Sequence, residues 1–394
     1  MWRGQEEANF RRVLDRYEEL HPGVKIDNLG AVTDDTKTIR AIVAGVPPDI
    51  FTLSDPLYLG PMAANGALLR LDDLFKPSGL REQDFIPASL SQCRYRGGLY
   101  AMPYLIDCYA LFWNKRHFRE AGLNPERPPQ TLEEFTRYAE KLTLRKGRDI
   151  TRLGLQPLSD IYLMARLFGG RLTDDARTRV TPDDPANVAA LQWYVDLVER
   201  LGGYQEVMGF QAGFGANQGV NNPFFVGQVS MMINGEWNPY WVHKFAPGLD
   251  YGVAPMPTPA AHPERTRSTW LGGNMFCIAK GAKHAKEAWD FLVWTQTEEA
   301  QILYASMMNN VPNIRSALGS RQLREGADYR RKFSVFLDLA DSPNGAHFPA
   351  LPVANLYSSE IATAVDLALG GTKQPAQALA DVRRRVQREL DRYR

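Results

Sequence analysis

The sequence lacks the cysteine pattern of a disulfide scaffold or a zinc site. Its three cysteines, Cys93, Cys108 and Cys277, are widely spaced and form no C-x-x-C pair. Neither a zinc knuckle nor a thioredoxin-like site is therefore indicated, and the odd number argues against a disulfide-built core. Because free cysteines behave as small hydrophobic residues, we expect all three to be free and buried.

Metal motifs, excess charge and long apolar runs are also missing. The six histidines form neither H-x-x-x-H nor H-E-x-x-H, so no metal or cofactor site is predicted. Lys and Arg number 46 against 45 for Asp and Glu, which removes the electrostatic case for nucleic acid or an anionic membrane. No run approaches the ~18 apolar residues of a membrane helix. Residues 1–10 contain two glutamates and no apolar segment, so they are not a signal peptide.

What the chain does have is length and a regular alternation of elements. Its 394 residues are 44% hydrophobic, which is enough for two lobes with separate cores. Hydrophobic spacing predicts a helix over 10–20, a strand at 24–26, a helix over 39–43 and a buried strand over 49–53. Such alternation implies βαβ units and a largely parallel sheet. A capping box at 131–134 begins a later helix.

One stretch, Tyr100 to Lys115, is apolar, β-prone and nearly uncharged, and only Pro103 and Asp107 interrupt it. It predicts a buried strand. A lone carboxylate in a buried strand is costly unless it finds a partner. A second interior strand is predicted over 229–233.

Several short motifs, each weak alone, follow one another in a characteristic order over most of the chain. They are His21-Pro-Gly-Val-Lys-Ile26, Ala44-Gly-Val-Pro-Pro-Asp-Ile50, Asn65-Gly-Ala-Leu-Leu-Arg-Leu-Asp72, Leu111-Phe-Trp-Asn-Lys115, Phe118-Arg-Glu-Ala-Gly-Leu123, Pro129-Gln-Thr-Leu-Glu-Glu-Phe135, Phe225-Val-Gly-Gln-Val-Ser-Met-Met-Ile-Asn-Gly-Glu-Trp237, Gly272-Gly273 before Ile278-Ala-Lys280, and Ala288-Trp-Asp-Phe-Leu292. In this order they resemble the solute-binding proteins of ABC-type sugar importers, the maltose- and oligosaccharide-binding group.

The resemblance implies an α/β, type II periplasmic-binding-protein-like fold with two lobes, a multi-strand hinge and a ligand cleft between the lobes. It implies a monomeric, non-enzymatic receptor without a cofactor that closes on a saccharide and delivers it to the permease subunits of an ABC importer. It also implies a periplasmic or extracellular location and, in the full-length precursor, a lipid anchor. Against the family pattern, Met1-Trp-Arg-Gly-Gln5 resembles the end of the first strand and the loop after it. The expected ranges are 1–109 and 270–330 for the N-terminal lobe, 110–255 and 331–394 for the C-terminal lobe, and 107–112 and 255–270 for the hinge.

A sugar receptor needs acids and amides for hydroxyl groups and aromatic rings for the flat C–H faces. Asp107 is the first choice as acceptor, since the family often places a ligand-binding acid at this crossing; alternatively it pairs with a buried arginine or with backbone amides. Asp55 follows the strand over 49–53 and either binds ligand or caps the next helix. Arg3 and Gln5 lie in a loop that faces the cleft in the family, or in a frayed terminus.

The aromatic candidates follow the later strands. Trp237 lies where relatives often stack a sugar ring, with core packing as the alternative; Trp241 shares its loop. The Glu236 carboxylate is either solvated or hydrogen-bonded. The Tyr109 side chain either packs in the core or hinge or reaches the cleft. The segment Trp270-Leu-Gly-Gly-Asn274 resembles the family's glycine-rich cleft segment. We therefore add Trp270, Gly272, Gly273 and Asn274, since glycine lets the backbone approach a ligand closely.

Two other functions stay open at this point. A receptor for another solute, such as a glycerol phosphodiester, would need cationic groups, for which Arg3 and Arg315 are the candidates. A glycosidase would use two carboxylates among Asp55, Asp107 and Glu236, at separations of about 5–5.5 Å or about 6.5–9.5 Å.

Overall fold

The structure is a computed structural model that describes residues 5–29, 35–53, 56–158, 161–214 and 219–393. Within these ranges the helices, labelled α1 to α18, are Gln5–Leu20, Asp35–Val43, Leu59–Ala64, Asp72–Phe75, Pro87–Gln92, Lys115–Glu120, Leu132–Leu142, Ile161–Leu167, Pro185–Leu201, Tyr204–Gln211, Asn238–Phe245, Ala285–Trp294, Glu298–Met308, Arg315–Leu318, Arg321–Arg324, Asp328–Leu339, Ala354–Leu369 and Pro375–Leu390. The strands, labelled β1 to β12, are Ile50–Leu53, Arg94–Tyr95, Gly98–Leu99, Met102–Pro103, Asp107–Asn114, Leu144–Lys146, Asp149–Leu155, Val229–Gly235, Tyr251–Ala254, Thr269–Gly272, Met275–Ile278 and Gly345–Ala346.

The chain divides into two units, each assembled from separate stretches of sequence. Unit 1 comprises Met1–Asp107, Leu271–Gly326 and His347–Ala354. Unit 2 comprises Cys108–Trp270, Ala327–Ala346 and Asn355–Arg394. The expected ranges had placed all of 331–394 in the C-terminal lobe, whereas 347–354 lies in unit 1 here.

Unit 1 is built on a short sheet in which β1, β11 and β4 lie side by side, each antiparallel to its neighbour. The predicted first helix is confirmed as α1. It buries Phe10, Val13, Leu14 and Tyr17 in the core of this unit, whereas Leu20 stays exposed. The apolar stripe of α1 thus faces the core as its helical spacing requires.

The predicted strand at 24–26 does not form within the described chain. Side chains of α1 hold the backbone of Ile26 instead. Glu18 Oε1 accepts its N–H at 2.9 Å, and Arg11 Nη1 donates to its carbonyl oxygen at 2.9 Å. Because both backbone groups are satisfied in this way, no ladder partner is needed.

Unit 2 contains a larger sheet in the order β12-β10-β5-β8-β7-β6, with β9 also paired to β5. The central strand β5 is the predicted buried strand, and its residues 110–112 are fully buried. The helices α6 to α11 and α16 to α18 come from the stretches that form this unit.

The expectation of a largely parallel sheet is wrong. In unit 2, β7 with β8 and β10 with β12 pair in parallel, whereas β5 is antiparallel to both β8 and β9. The strands β8 and β9, joined through α11, therefore run in the same direction, as a βαβ unit requires. However, β5 lies between β8 and β9 and runs opposite to both, so each of its two pairings is antiparallel. The alternation of helices and strands in the sequence does not reveal this insertion.

Local signals predicted the ends of several elements. Thr131 accepts the N–H of Glu134 at 3.1 Å and begins α7, which confirms the capping box. The reciprocal bond differs, since Glu134 accepts the N–H of Gln130 at 2.9 Å instead of that of the cap residue itself.

All three cysteines are free and buried, as expected. Among the described residues, no helix combines the length and apolar character needed to span a membrane.

Candidate functional site

Asp107 is the first residue of β5 and ends the first of the three stretches that form unit 1, and its side chain is half-buried. Asn310 Nδ2 donates to its Oδ1 at 3.4 Å. Burial raises the pKa of Asp107 to about 7. No lysine or arginine within the described ranges forms an ion pair with this carboxylate, so the alternative of a buried arginine partner finds no support there.

The glycine-rich segment lies directly against Asp107. A Cβ on Gly273 would stand 2.9 Å from the Asp107 nitrogen and 3.0 Å from the Leu105 oxygen, so only glycine fits without a backbone shift. The Gly273 N–H donates to Gln92 Oε1 at 3.0 Å. The close approach that this glycine permits is therefore to the chain's own backbone.

Gln92, which the sequence analysis missed, leaves a buried donor in this group. Its side chain is 1% exposed, and its Nε2 has no hydrogen-bond partner in the described part of the chain. An unpaired buried amide is costly and is stabilised when a further acceptor binds. We refer to Asp107, Gln92, Gly273 and Asn310 as the unit 1 polar group.

In unit 2, Tyr109 and Trp237 form an edge-to-face pair with ring centroids 5.9 Å apart and an interplanar angle of 79°. Tyr109 pairs with Gly235 across the β5–β8 ladder. The Trp237 ring lies over Gly235, where a Cβ would come within 2.3 Å of it. Both rings are half-buried, so the pair presents aromatic surface to solvent.

Glu236 precedes Trp237 in the chain and is fully buried. Its Oε2 accepts the N–H of Cys108 at 2.8 Å, which gives the carboxylate a structural partner. Thr269 serves the same strand: its Oγ1 accepts the Tyr109 N–H at 3.0 Å and donates to the Tyr109 oxygen at 2.7 Å. A ligand-binding role for Glu236 stays a prediction.

Trp270 forms a second edge-to-face pair in unit 2. Its ring centroid lies 6.1 Å from that of Tyr162 at 88°, and Trp270 is half-buried. Trp241 stands on α11, where its ring is parallel to that of Phe245 at 5.4 Å and 5°. Neither Tyr162 nor Phe245 carried a motif that would have singled it out in the sequence.

The remaining predicted site residues are Arg3, Gln5, Asp55, Gly272 and Asn274. Arg3 and Asp55 lie outside the described residues, and Gln5 is known only as the first residue of α1. Gly272 is buried, and Asn274 is half-buried with its carbonyl oxygen accepting the Tyr104 N–H at 3.3 Å. No group of three or more His, Cys, Asp or Glu among the described residues is placed to hold a metal.

Comparison with known proteins places the chain among binding proteins. Residues 3–302 match the model of the family described as bacterial extracellular solute-binding protein. The maltotriose-binding protein of Pyrococcus abyssi is 24% identical over 320 residues, which are 80% of this chain and 65% of that protein. This chain thus spans slightly less than two thirds of that relative. The arabinooligosaccharide-binding protein of Bacillus subtilis is 24% identical over 370 residues, which are 86% of this chain and 80% of that protein.

Among solved structures, that of CpMnBP1 with mannotriose bound superposes with a TM-score of 0.84. It is 29% identical in sequence, and the match covers 98% of each chain. The structural neighbours are type II periplasmic binding proteins like the maltose-binding protein, which confirms the predicted fold class.

Proposed function

The chain belongs to the bacterial extracellular solute-binding protein family, and from this premise we propose that it is a receptor that binds a mono- or oligosaccharide and delivers it to the permease of an ABC importer. Members of this family and the solved neighbours are solute-binding proteins and not enzymes. The family implies a periplasmic or extracellular location. The lipid anchor, the monomeric state and closure of the lobes on the ligand stay predictions from the resemblance.

The observation that carries the proposal is the half-exposed Tyr109–Trp237 pair of unit 2. A sugar ring offers a flat C–H face, and a stacked aromatic ring stabilises it by about 0.5–1.5 kcal/mol beyond the area buried. The relatives named for maltotriose, arabinooligosaccharide and mannotriose point to the same class of ligand.

The unit 1 polar group supplies the second kind of contact that a sugar needs. Asp107 offers carboxylate oxygens, and Gln92 retains a buried donor. A hydrogen bond between a charged group and a hydroxyl contributes about 1.5–3 kcal/mol. We propose that Asp107 accepts from a ligand hydroxyl and that Trp237 stacks on a sugar face.

A thermal-shift screen tests the class of ligand. The panel contains mannobiose, mannotriose, maltotriose, arabinotriose and a glycerol phosphodiester. A saccharide at 100 times its dissociation constant adds about 2.7 kcal/mol to the free energy of unfolding, which raises the unfolding midpoint. A shift with the phosphodiester alone would favour the other solute class, and no shift with any saccharide contradicts the proposal.

Calorimetric titration of Trp237→Ala then tests the site. We expect a dissociation constant at least tenfold higher, which corresponds to about 1.4 kcal/mol. Trp193→Ala is the matched control, since Trp193 is also half-buried in unit 2 and bonds Thr136 through its Nε1. Equal affinities for the two variants remove Trp237 from the site, and multiple-turnover cleavage of a bound oligosaccharide would contradict a receptor.

A further inference from the structure

Two arginines of unit 2 lie against the same turn at the end of α8. The turn consists of Gly169 and Gly170 and follows the last residues of the helix. Arg166, on α8, donates from Nη1 to the Gly170 oxygen at 3.2 Å. Arg265, which comes from the short 3₁₀ helix Pro263–Arg265, lies with its guanidinium group against Gly169. We refer to Arg166 and Arg265 as the arginine pair.

Glycine at position 169 makes the approach of Arg265 possible. Its φ is +84°, and a Cβ there would stand 3.2 Å from Arg265 Nη2 and 3.5 Å from its Nε. The N–H groups of the turn are used locally. That of Gly169 donates to the Arg166 oxygen at 3.0 Å, and that of Gly170 donates to the Ala165 oxygen at 2.8 Å. A ligand at this turn therefore has to take its hydrogen bonds from the arginine side chains.

The arginine pair carries many more hydrogen-bond donors than it uses. Each guanidinium group has several N–H donors, and within the described chain the pair makes one side-chain hydrogen bond, that of Arg166 to the Gly170 oxygen. The Nε atoms of both arginines are buried and have no hydrogen-bond partner among the described residues. A buried donor without an acceptor is costly, and more so when it belongs to a charged group.

The positive charge of the pair is only partly balanced. Among the residues that the structure describes, no carboxylate forms an ion pair with Arg166, and Arg265 Nε lies 3.6 Å from Glu264 Oε1. The Glu264 side chain is 61% exposed, and His262 Nδ1 lies 3.4 Å from the same oxygen. Such an exposed and distant pair contributes little. Because both guanidinium groups lie against one short turn, their like charges repel each other.

A structural role alone explains only half of this arrangement. An arginine in the last turn of a helix interacts favourably with the terminal carbonyl groups and the helix dipole, which accounts for Arg166. It does not account for Arg265, which belongs to another segment of the chain and packs on Gly169 through its guanidinium group. A negatively charged group with several acceptor oxygens would satisfy the donors of both arginines and remove their repulsion.

We propose that the arginine pair is a binding site for an oxyanion group, which is a carboxylate, a phosphate or a sulfate. Planar guanidinium groups match the paired oxygens of such anions, and the hydrogen bonds are charge-assisted. Arg166 follows Tyr162 by one helical turn, and Tyr162 packs on Trp270. The carboxylate of an acidic sugar is therefore one source of the anion, and free phosphate or sulfate is the other. The inference concerns other residues than the receptor proposal does and does not depend on it.

Calorimetric titration at constant ionic strength, in a buffer free of these anions, tests the site. The probes are sodium phosphate, sodium sulfate and sodium glucuronate, with glucose as the neutral counterpart of glucuronate. We expect at least one anion to bind the wild-type protein, and the one that binds most tightly identifies the source. Arg166→Gln and Arg265→Gln should each raise its dissociation constant about tenfold, because each removes a charge-assisted contact.

Glu264→Gln tests the site in the opposite direction. It removes the carboxylate that lies 3.6 Å from Arg265 Nε, so it should lower the dissociation constant of the anion about threefold. A variant that only disturbs the fold cannot produce such a gain. Arg200→Gln is the matched control, because it removes the same charge from α9, where Arg200 pairs with Glu140 at 3.0 Å. It should leave the affinity within about twofold of the wild type.

Thermal unfolding without anion separates binding from folding. Arg166→Lys keeps a cation and a donor for the Gly170 oxygen but loses the planar group, so it should fold as the wild type does and still bind the anion more weakly. If Arg166→Gln does not fold, this variant and Arg265→Gln decide the question.

Three results would overturn the proposal. The first is that none of the three anions binds the wild-type protein. The second is that Arg200→Gln weakens binding as much as the variants of the arginine pair, which would assign it to diffuse surface charge. The third is that glucuronate binds only as well as glucose while phosphate and sulfate do not bind. None of these results bears on the neutral saccharides of the receptor proposal.

Discussion

Replacing Asp107 with asparagine should raise the stability of the protein and weaken ligand binding at the same time. Burial raises the pKa of Asp107 from 3.8 to about 7. One pKa unit corresponds to about 1.4 kcal/mol, so charging this carboxylate in the folded state costs at most about 4 kcal/mol. Since the side chain is only half-buried, solvent screening reduces the figure. We expect about 1–3 kcal/mol.

The sign follows from the direction of the shift. The folded protein holds the Asp107 proton more tightly than the unfolded chain does, so wild-type stability falls as the pH rises from about 4 to about 7. Asparagine does not titrate in this range. The stability advantage of Asp107→Asn over the wild type should therefore be small at pH 4, grow up to pH 7 and stay constant above it.

Thermal unfolding of both proteins at pH 4, 5, 6, 7 and 8 measures this difference. A difference that does not vary with pH would show that Asp107 does not titrate as its burial requires. For ligand affinity, calorimetry at pH 8 should give a dissociation constant about tenfold higher for Asp107→Asn, because a neutral hydrogen bond replaces a charged one. An unchanged affinity would remove Asp107 from the binding site, and a variant that fails to fold would make it a structural residue.

Three further predictions concern stability. Gly273→Ala should lower the free energy of unfolding by about 1–3 kcal/mol, because the new Cβ meets backbone atoms at 2.9–3.0 Å. Chemical denaturation measures this change. Gly209→Ala is the control, because its new Cβ meets nothing within 4 Å. Thr269→Val should cost about 1–3 kcal/mol, because the part-buried backbone N–H of Tyr109 loses its acceptor; Thr269→Ser should restore most of the loss. Burial and then the charge of Arg152 lower the pKa of His117 to about 4, so stability should fall by about 3 kcal/mol as the pH drops from about 6.5 to about 4. The free energy of unfolding of His117→Gln should not show this loss over the same pH range. If the variant loses as much stability as the wild type, the loss belongs to other titrating groups.

The candidate site shows where sequence reasoning reached its limit. The family resemblance pointed to Trp237 as a stacking residue and left Tyr109 as core, hinge or cleft, and the structure brings their rings together. Glu236, predicted to be either solvated or hydrogen-bonded, is fully buried against a backbone N–H 128 residues away. Gln92 and Asn310 carried no signal, because an amide becomes a candidate only when its surroundings are known.

The sequence by itself determined several of the helices, the Thr131 cap, the free cysteines and the family. These properties depend on residues that are close along the chain, on periodic burial and on the order of short motifs, which are all readable without coordinates. The tertiary structure decided the direction of the strands, because β5 lies between β8 and β9. It also decided that the backbone of Ile26 bonds to α1, that Gly273 packs on Asp107, and that the rings of Tyr109 and Trp237 meet edge to face. Each of these features depends on which groups meet in space and on how far water is excluded from them. No short stretch of the sequence encodes either the contacts or the exclusion of water.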